Sequence, residues 1–542
     1  MREFTPINEY KQESVFMKNY QPYTYTEKGA IACETTGSVI VDQFGSAATY
    51  RGRGLEDVFK DQGELWEADN VLALRFPFYL RLITRKVHID GDKKTESIQK
   101  GAGVRDEAFK RILWIAVNQK EAFEKNLWAL PLVGSWKDLW TLMYYDSIHE
   151  TNAIDHAAVF DLINYGLKSD SHSELIKKFM PRIRAVSKCH TQWANISNDL
   201  AKEFAAYNKL SYKEYNHIKA KGTAHEFQKL ISNGRYDDLN WSLIPGRALS
   251  ILTGGKFIER HGLEEKYLQW LDKQPSVKFT GYPYELGKQA RLNYSMPFST
   301  KHTIDKQFKH LLKIGEEGGG VEGNVLSVLD TSGSMTWTEL NNGVTPLDVS
   351  LSLGLYFAGL NKGAFHNTVM LFDNKSSVVA VDGESFVDDY RSLLSKSAMG
   401  TTNFQSVVQE IVRVRVEKPN IPLSDYPTTF LVVSDMQFDP ADGENADTNY
   451  QRMKKMLLEA FPKEYVDSVK FIWWNVASRN TTFPATLEDA GCYFMSGYDG
   501  AIVSLILGKE EQETNGEQSK PKSMEEVVYD ALNQEILAVI NL

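Results

Sequence analysis

The stretch VLSVLDTSGSM, residues 325–335, decides how the C-terminal half of this chain is read. Four of its first five residues are apolar, so it begins as a buried strand. The strand ends on Asp330, and Thr331, Ser332, Gly333 and Ser334 follow at once. A carboxylate and two hydroxyls, spaced two apart in a turning loop, can be aimed at one point.

Downstream, apolar strands alternate with helices. PLDVSLSLGLYFAGL follows with Thr345 as N-cap and Pro346 at the first helical position. TVMLFD (368–373) and SSVVAV (376–381) read as a hairpin. A helix TNFQSVVQEIVRVRV, a strand TTFLVVSD, a helix YQRMKKMLLEAF and a strand VKFIWWN come next. A short strand near CYFMSG and a helix DGAIVSLIL close the series. This alternation predicts a Rossmann-like α/β domain with a mostly parallel sheet covered on both faces. Ligands of such sheets bind beyond the carboxyl ends of the strands.

Upstream the periodicity is helical. VRDEAFKRILWIAVNQ places Phe109, Ile112, Leu113 and Ala116 on one face, and the segments from Lys120 through Val186 continue the pattern. The reading is an all-α domain, an α-solenoid or a bundle; with no strict period, any solenoid is an irregular, HEAT-like helical repeat. The expected division is a mixed or extended segment at 1–65, helices at 66–315 and a Gly-rich linker at 316–323. The α/β domain takes 324–507, a flexible polar loop 508–523, and a C-terminal helix 524–542 packs on either domain. GSVIVDQFGSAATYRGR, in the first segment, reads as a short hairpin or an extended arm. At 542 residues the chain exceeds what a single core organises, which fits several domains.

Net charge is −10. It is unevenly placed: residues 321–542 hold 16 basic and 31 acidic side chains, residues 1–320 hold 45 and 40. The mildly basic N-terminal part permits nucleic-acid contact without demanding it. Cys33, Cys189 and Cys492 are far apart and odd in number, so neither a disulfide framework nor a metal knuckle is expected. Buried thiols in a reducing, cytoplasmic setting are the expectation. No run is long and apolar enough to span a membrane, and no membrane partner is expected.

Hard cations take oxygen ligands. Asp330, Ser332 and Ser334 supply three, MGTTNF adds hydroxyls before a helix, and VVSDMQFD adds Asp435 after a strand. Asp-x-Ser-x-Ser, a later threonine loop and a later Ser-Asp together resemble the metal-ion-dependent adhesion site (MIDAS) of a von Willebrand factor A domain. The resemblance implies Mg²⁺ (or Mn²⁺) held by Asp330, Ser332, Ser334, Thr402 and Asp435, with Asp435 acting through water. It also implies an open position for an acidic protein ligand. Aligning GTTN with the family's Gly-Gly-Thr-Asn selects Thr402 over Thr401. A phosphate-binding loop is disfavoured, because no Gly-x-x-x-x-Gly-Lys stretch is present.

The helical segment 104–140, with YDDLNWSLIPGRALS, FIWWN and FMSGYDGAIVSLIL, resembles a family that pairs a TROVE-like module with a von Willebrand A domain. That family is shared by plants, large viruses and bacteria, and is related to Ro autoantigen-type proteins. The relationship implies a non-enzymatic ribonucleoprotein component that binds small noncoding or misfolded RNA. Arg105, Lys110, Arg111, Lys177, Lys178, Arg182, Arg184, Lys188 and His190 are the candidate RNA contacts, against the plainer reading of a solvated helix face. Trp114, Trp128, Trp136 and Trp140 read as core residues, and His156 as a packed or surface histidine. The alternative is a metal-dependent protein–protein adaptor that binds no RNA. A hydrolase is disfavoured because no general base accompanies the metal ligands.

Overall fold

The computed structural model describes residues 23–50, 52–88, 96–169, 171–222, 226–337, 340, 343–441, 447–477, 482–500, 506 and 522–542. The chain forms two compact units. The first comprises residues 23–46, Glu322–Gly383 and Ser392–Ser496. The second comprises Ala47–Val321, Glu384–Arg391 and the described residues from Gly497 onward. The strands in chain order are β1 (Tyr23–Tyr25), β2 (Ile31–Cys33), β3 (Ile83–His88), β4 (Glu96–Ala102), β5 (Val325–Asp330), β6 (Thr368–Phe372), β7 (Ser376–Ala380), β8 (Thr429–Ser434), β9 (Lys470–Asn475) and β10 (Cys492–Ser496).

The first unit is built on a six-stranded sheet in the order β10-β9-β8-β5-β6-β7. Every neighbouring pair is parallel except β6 and β7. The α/β expectation therefore stands at this level. Continuous apolar runs make β5, β8 and β10 buried at every residue, as a sheet covered on both faces requires. Edge strand β7 is only five residues long and opens with two serines, and Ser377, Val378 and Ala380 are exposed. Its unpaired backbone is thereby kept from becoming a long apolar template.

Helix Pro346–Leu360 packs on β5, β6 and β8. Its start is fixed by a capping box: Thr345 Oγ1 accepts from Asp348 N at 3.2 Å, and Asp348 Oδ2 accepts from Thr345 N at 3.0 Å. Gly354 lets this helix approach β5, since a Cβ there would lie 2.3 Å from Leu329 Cδ1. Helix Gln405–Glu417 packs on β6 and β7.

Residues 37–53 were expected to form a hairpin or an extended arm. Instead Val39–Ser46 is a helix that packs on β9 and β10, and Ser496 Oγ donates to Phe44 O at 2.9 Å. The run VIVDQF carries a buried face at Val41 and Phe44, which the flanking glycines obscured. Helix Phe386–Lys396 was also not expected.

The second unit is mainly helical but not all-α. β3 and β4 pair as an antiparallel ribbon with an irregularity between Ile83 and Arg85. Both strands mix charge with apolar residues over six or seven positions, so periodicity alone did not reveal them. The helix expected across 173–186 stops at Phe179. Pro181 cannot continue it, and the chain runs on without regular structure to a short 3₁₀ turn at Val186–Lys188.

Helix Met524–Leu532 and the turn Glu535–Ala538 pack on helix Asn70–Arg81. Arg75 Nε donates to Ile540 O at 3.0 Å, and Asn126 Nδ2 to Asn541 O at 2.6 Å. The segment 508–521 and most of the expected helix DGAIVSLIL lie outside the described residues.

Charge is also buried in this unit. Arg111, fully buried, donates from Nε to Glu107 Oε1 at 3.0 Å and from Nη1 to Gln62 Oε1 at 3.1 Å. Removing it takes from buried Glu107 its nearest cation, with only Arg53, at 3.4 Å, remaining beside it. Arg111→Ala is expected to destabilise this unit by about 3–5 kcal/mol in urea unfolding. Exposed Arg184→Ala is expected to stay within about 0.5 kcal/mol of the parent.

Candidate functional site

Strand order places the site. β5 is followed by β6 on one side, and the chain later returns to set β8 on the other. The connection thus changes direction beside β5, where open sheets leave a crevice beyond their strand ends. Register aligns Leu329 with Val433 and Asp330 with Phe372. The carboxyl ends of β5, β6 and β8 therefore lie side by side.

Asp330 is fully buried at this edge. Its Oδ1 accepts from Ser332 N at 2.9 Å and its Oδ2 from Ser434 Oγ at 2.5 Å. The first bond turns the chain directly after the strand, an Asx-type turn. Ser332 Oγ and Ser334 Oγ are 3.1 Å apart. The threonine loop is tied in through the backbone, with Gly333 N donating to Gly400 O at 2.9 Å. Thr402 is buried, whereas Thr401 is exposed and bonded to Asn374 Oδ1 at 2.8 Å. Thr402 O in turn accepts from Asp439 N at 3.0 Å, which joins this loop to the segment after β8. Asp435 is buried, and its Oδ1 accepts from Gln437 N at 3.2 Å.

Burial, and next the charge of Asp435, push the Asp330 carboxyl up to about 7. Hydrogen bonds from Ser434 and Ser332 oppose the shift. Two carboxylates buried this close together raise one another's cost of ionisation. Among the described residues no group of three or more His, Cys, Asp or Glu side chains is placed to hold a metal. An ion here would have to complete its shell with hydroxyls and water, as Mg²⁺ readily does. The donor set fits a hard divalent cation and does not fit a thiolate- or imidazole-seeking one.

The sequence reading missed what lies over these residues. β1 and β2 form a small hairpin whose turn docks on the segment after β8. Thr26 Oγ1 donates to Phe438 O at 2.9 Å, and Glu27 N to Gln437 Oε1 at 2.8 Å. Lys28 Nζ donates to Thr402 Oγ1 and stands 3.9 Å from Asp439 Oδ1. No local signal marks Lys28 in the sequence. Asp373 was also legible: it directly follows β6, at the same sheet edge where Asp330 ends β5. It is buried, and its Oδ2 accepts from Ala398 N at 3.1 Å, holding the approach to the threonine loop.

The candidate RNA contacts separate by burial. Lys110 and Arg111 are buried and internally engaged, Lys110 Nζ donating to Arg53 O at 2.6 Å and Asp106 Oδ2 at 2.8 Å. They are structural residues, not RNA contacts: both side chains turn into the core, where Asp106 and Glu107 one turn back on the same helix, and Arg53 O and Gln62 from elsewhere, engage them. Arg105, Arg182, Arg184, Lys188 and His190 are exposed, and Lys177 and Lys178 half-buried. Of the four tryptophans read as core, Trp140 is buried, Trp114 and Trp136 are half-buried, and Trp128 is exposed. His156 pairs with Glu203 at 3.0 Å on the surface. Cys33 and Cys492 are buried free thiols, and Cys189 is half-buried.

The fold and site define a two-unit protein with a mainly helical part and a mostly parallel α/β part. Residues 324–538 match the family described as Domain of unknown function (DUF7788). An uncharacterized protein, L728, of Acanthamoeba polyphaga mimivirus is 23% identical over 535 residues, covering 90% of this chain and 85% of the viral one. Among solved structures, the Ro (RSR) protein of Deinococcus radiodurans aligns over 93% of this chain and 99% of its own, at 12% identity and a TM-score of 0.44.

In the metal-free protein, Asp330 holds its proton up to about 7 when folded, against an ordinary 3.8. The folded state binds more protons between those values, so stability falls as pH rises through that window. Asp330→Asn is expected to abolish that fall and to raise stability at neutral pH by about 1–3 kcal/mol in pH-resolved urea unfolding.

Proposed function

We propose that the α/β unit is a von Willebrand A-type domain that holds Mg²⁺ (or Mn²⁺) and captures an acidic group of a protein ligand, and that the helical unit binds structured or misfolded noncoding RNA. The observation that carries the first half is the buried pair Asp330 and Asp435, converging with Ser332, Ser334 and Thr402 beside the sheet's change of direction. In this reading Asp330, Ser332 and Ser334 bind the cation directly, Thr402 joins them, and Asp435 acts through water. The cation supplies a Lewis-acidic position for a ligand carboxylate. Trp337 and Met399, 82% and 49% exposed, flank the same loops and offer apolar contact to a protein ligand. The reading assigns no catalytic step, since a hydroxyl-rich shell suits carboxylate capture better than water activation. No described helix is long and apolar enough to cross a membrane.

The RNA half is supported by the exposed cations Arg182, Arg184, Lys188 and His190, which follow the helix break at Pro181. Side chains of this kind neutralise phosphates and make binding salt-dependent. The second reading, an adaptor without RNA, is favoured by Trp337 and Met399 alone.

Calorimetric titration with Mg²⁺ tests the metal reading. Binding is expected in the parent and lost in Asp330→Ala, and retention in that variant would exclude the site. Crosslinking with sequencing of bound RNA tests the other half; no enrichment over a bead control at low and moderate salt leaves the adaptor. Lys28 bears on the same calorimetry. Its ammonium bonds to Thr402, so an incoming cation must displace or repel it. Lys28→Met is expected to tighten Mg²⁺ binding by about three- to tenfold.

A further inference from the structure

The segment after the helix break at Pro181 borders a cavity of about 220 Å³. Its walls include Lys137, Trp140, Arg182, Arg184 and Trp193. Among the described residues no Asp or Glu lines it. Among the described residues, Lys137, Arg182 and Arg184 form no ion pair with a carboxylate. Their charges are felt nearby: Lys219 is held below its ordinary value by burial and then by Arg182 and Arg184. A cluster of unneutralised cations around a concavity is a focused anion site.

Two tryptophans give the cavity a second chemistry. Trp193 is 39% exposed and braced edge-on by Tyr144, with ring centroids 4.3 Å apart. Lys137 Nζ stands 5.9 Å from the Trp193 ring centroid. Trp140 is 3% exposed and wedged against Phe160 and Phe204, and among the described residues its indole N–H has no hydrogen-bond partner. Orphaned buried donors are rare in native proteins and invite an acceptor. Helix Gln192–Tyr207 also begins here, with Thr191 capping Ala194 N at 3.1 Å, and its first turn favours negative charge.

An aromatic face, an unfilled donor and three free cations match a planar heteroaromatic ring that carries an anion. The volume lies below the roughly 300–1,000 Å³ of drug-sized ligand sites, which limits the occupant to one such unit. We propose that this cavity binds a single nucleoside monophosphate unit, its base against Trp193 and its phosphate between Arg182 and Arg184. The unit is a free nucleotide or an unpaired nucleotide of an RNA strand. In the RNA case the proposal rests on the RNA reading above; in the free-nucleotide case it does not.

The test uses the full chain with three probes: adenosine 5′-monophosphate, a short single-stranded oligoribonucleotide, and inorganic phosphate. Binding is read by tryptophan fluorescence and calorimetry. Nucleotide binding is expected to weaken about tenfold in Trp193→Ala and to be largely kept in Trp193→Phe. The pair Arg182→Gln with Arg184→Gln is expected to weaken it and to flatten its salt dependence. Both sites are exposed or half-exposed, so the variants are expected to unfold at the parent's midpoint. If the monophosphate binds and the oligonucleotide does not, the cavity is a free-nucleotide site and the RNA reading fails alone. If the oligonucleotide binds parent and variants alike, the cavity proposal is overturned and the RNA reading survives. Inorganic phosphate binding as tightly as the nucleotide overturns the base contact, and no binding of either nucleotide probe to the parent overturns the proposal outright.

Discussion

Two buried carboxylates, Asp330 and Asp435, set the terms for the α/β unit. Parallel pairing of β5 with β8 forces their strand ends together, and burial denies them water. Isolated, each ionised group would be costly to bury. The surrounding architecture answers that cost. Ser434 and the Ser332 amide bond Asp330, the Gln437 amide bonds Asp435, and the threonine loop is tied to both neighbours through Gly400 and Asp439. Loops anchored this closely hold their oxygens in fixed positions at the sheet edge.

The α/β half was legible because its signals are local. An apolar run ending in Asp-x-Ser-x-Ser announces both a strand and the chemistry at its end, and Thr345-Pro346 marks where the next helix begins. Strand neighbours were not legible. Nothing in TTFLVVSD says that it lies beside VLSVLD rather than beside TVMLFD. The Lys28 hairpin was beyond reach for the same reason: its contacts join positions roughly four hundred residues apart, and no period or spacing encodes them.

In the helical half the errors run the other way. RDEAFKR looked like a basic surface because Arg and Lys are usually solvated. Glu107, in the same helix, and Gln62, in another, made burial of Arg111 affordable, and sequence shows partners at i,i+4 more readily than it shows depth. Pro181 marks in the sequence where the helix that begins at Ser173 must end. By ending a helix it takes Arg182 and Arg184 off a regular face and sets them at the rim of a concavity beside Trp193.

Both units are discontinuous in the chain. The sheet is lined by a helix from residues 39–46, and the helical unit is closed by Met524–Leu532 and a backbone carbonyl at Ile540. A ribosome making this protein from its N-terminus would complete neither unit until nearly all 542 residues had emerged. Helix Val39–Ser46 would wait for β9 and β10 with its apolar face uncovered, and Arg75 would wait for the tail. Local helices can form early, but the long-range closures come last and leave unburied surface in the meantime. Such a chain is a natural client for chaperones during synthesis, and its units are poor candidates for excision at a single cut.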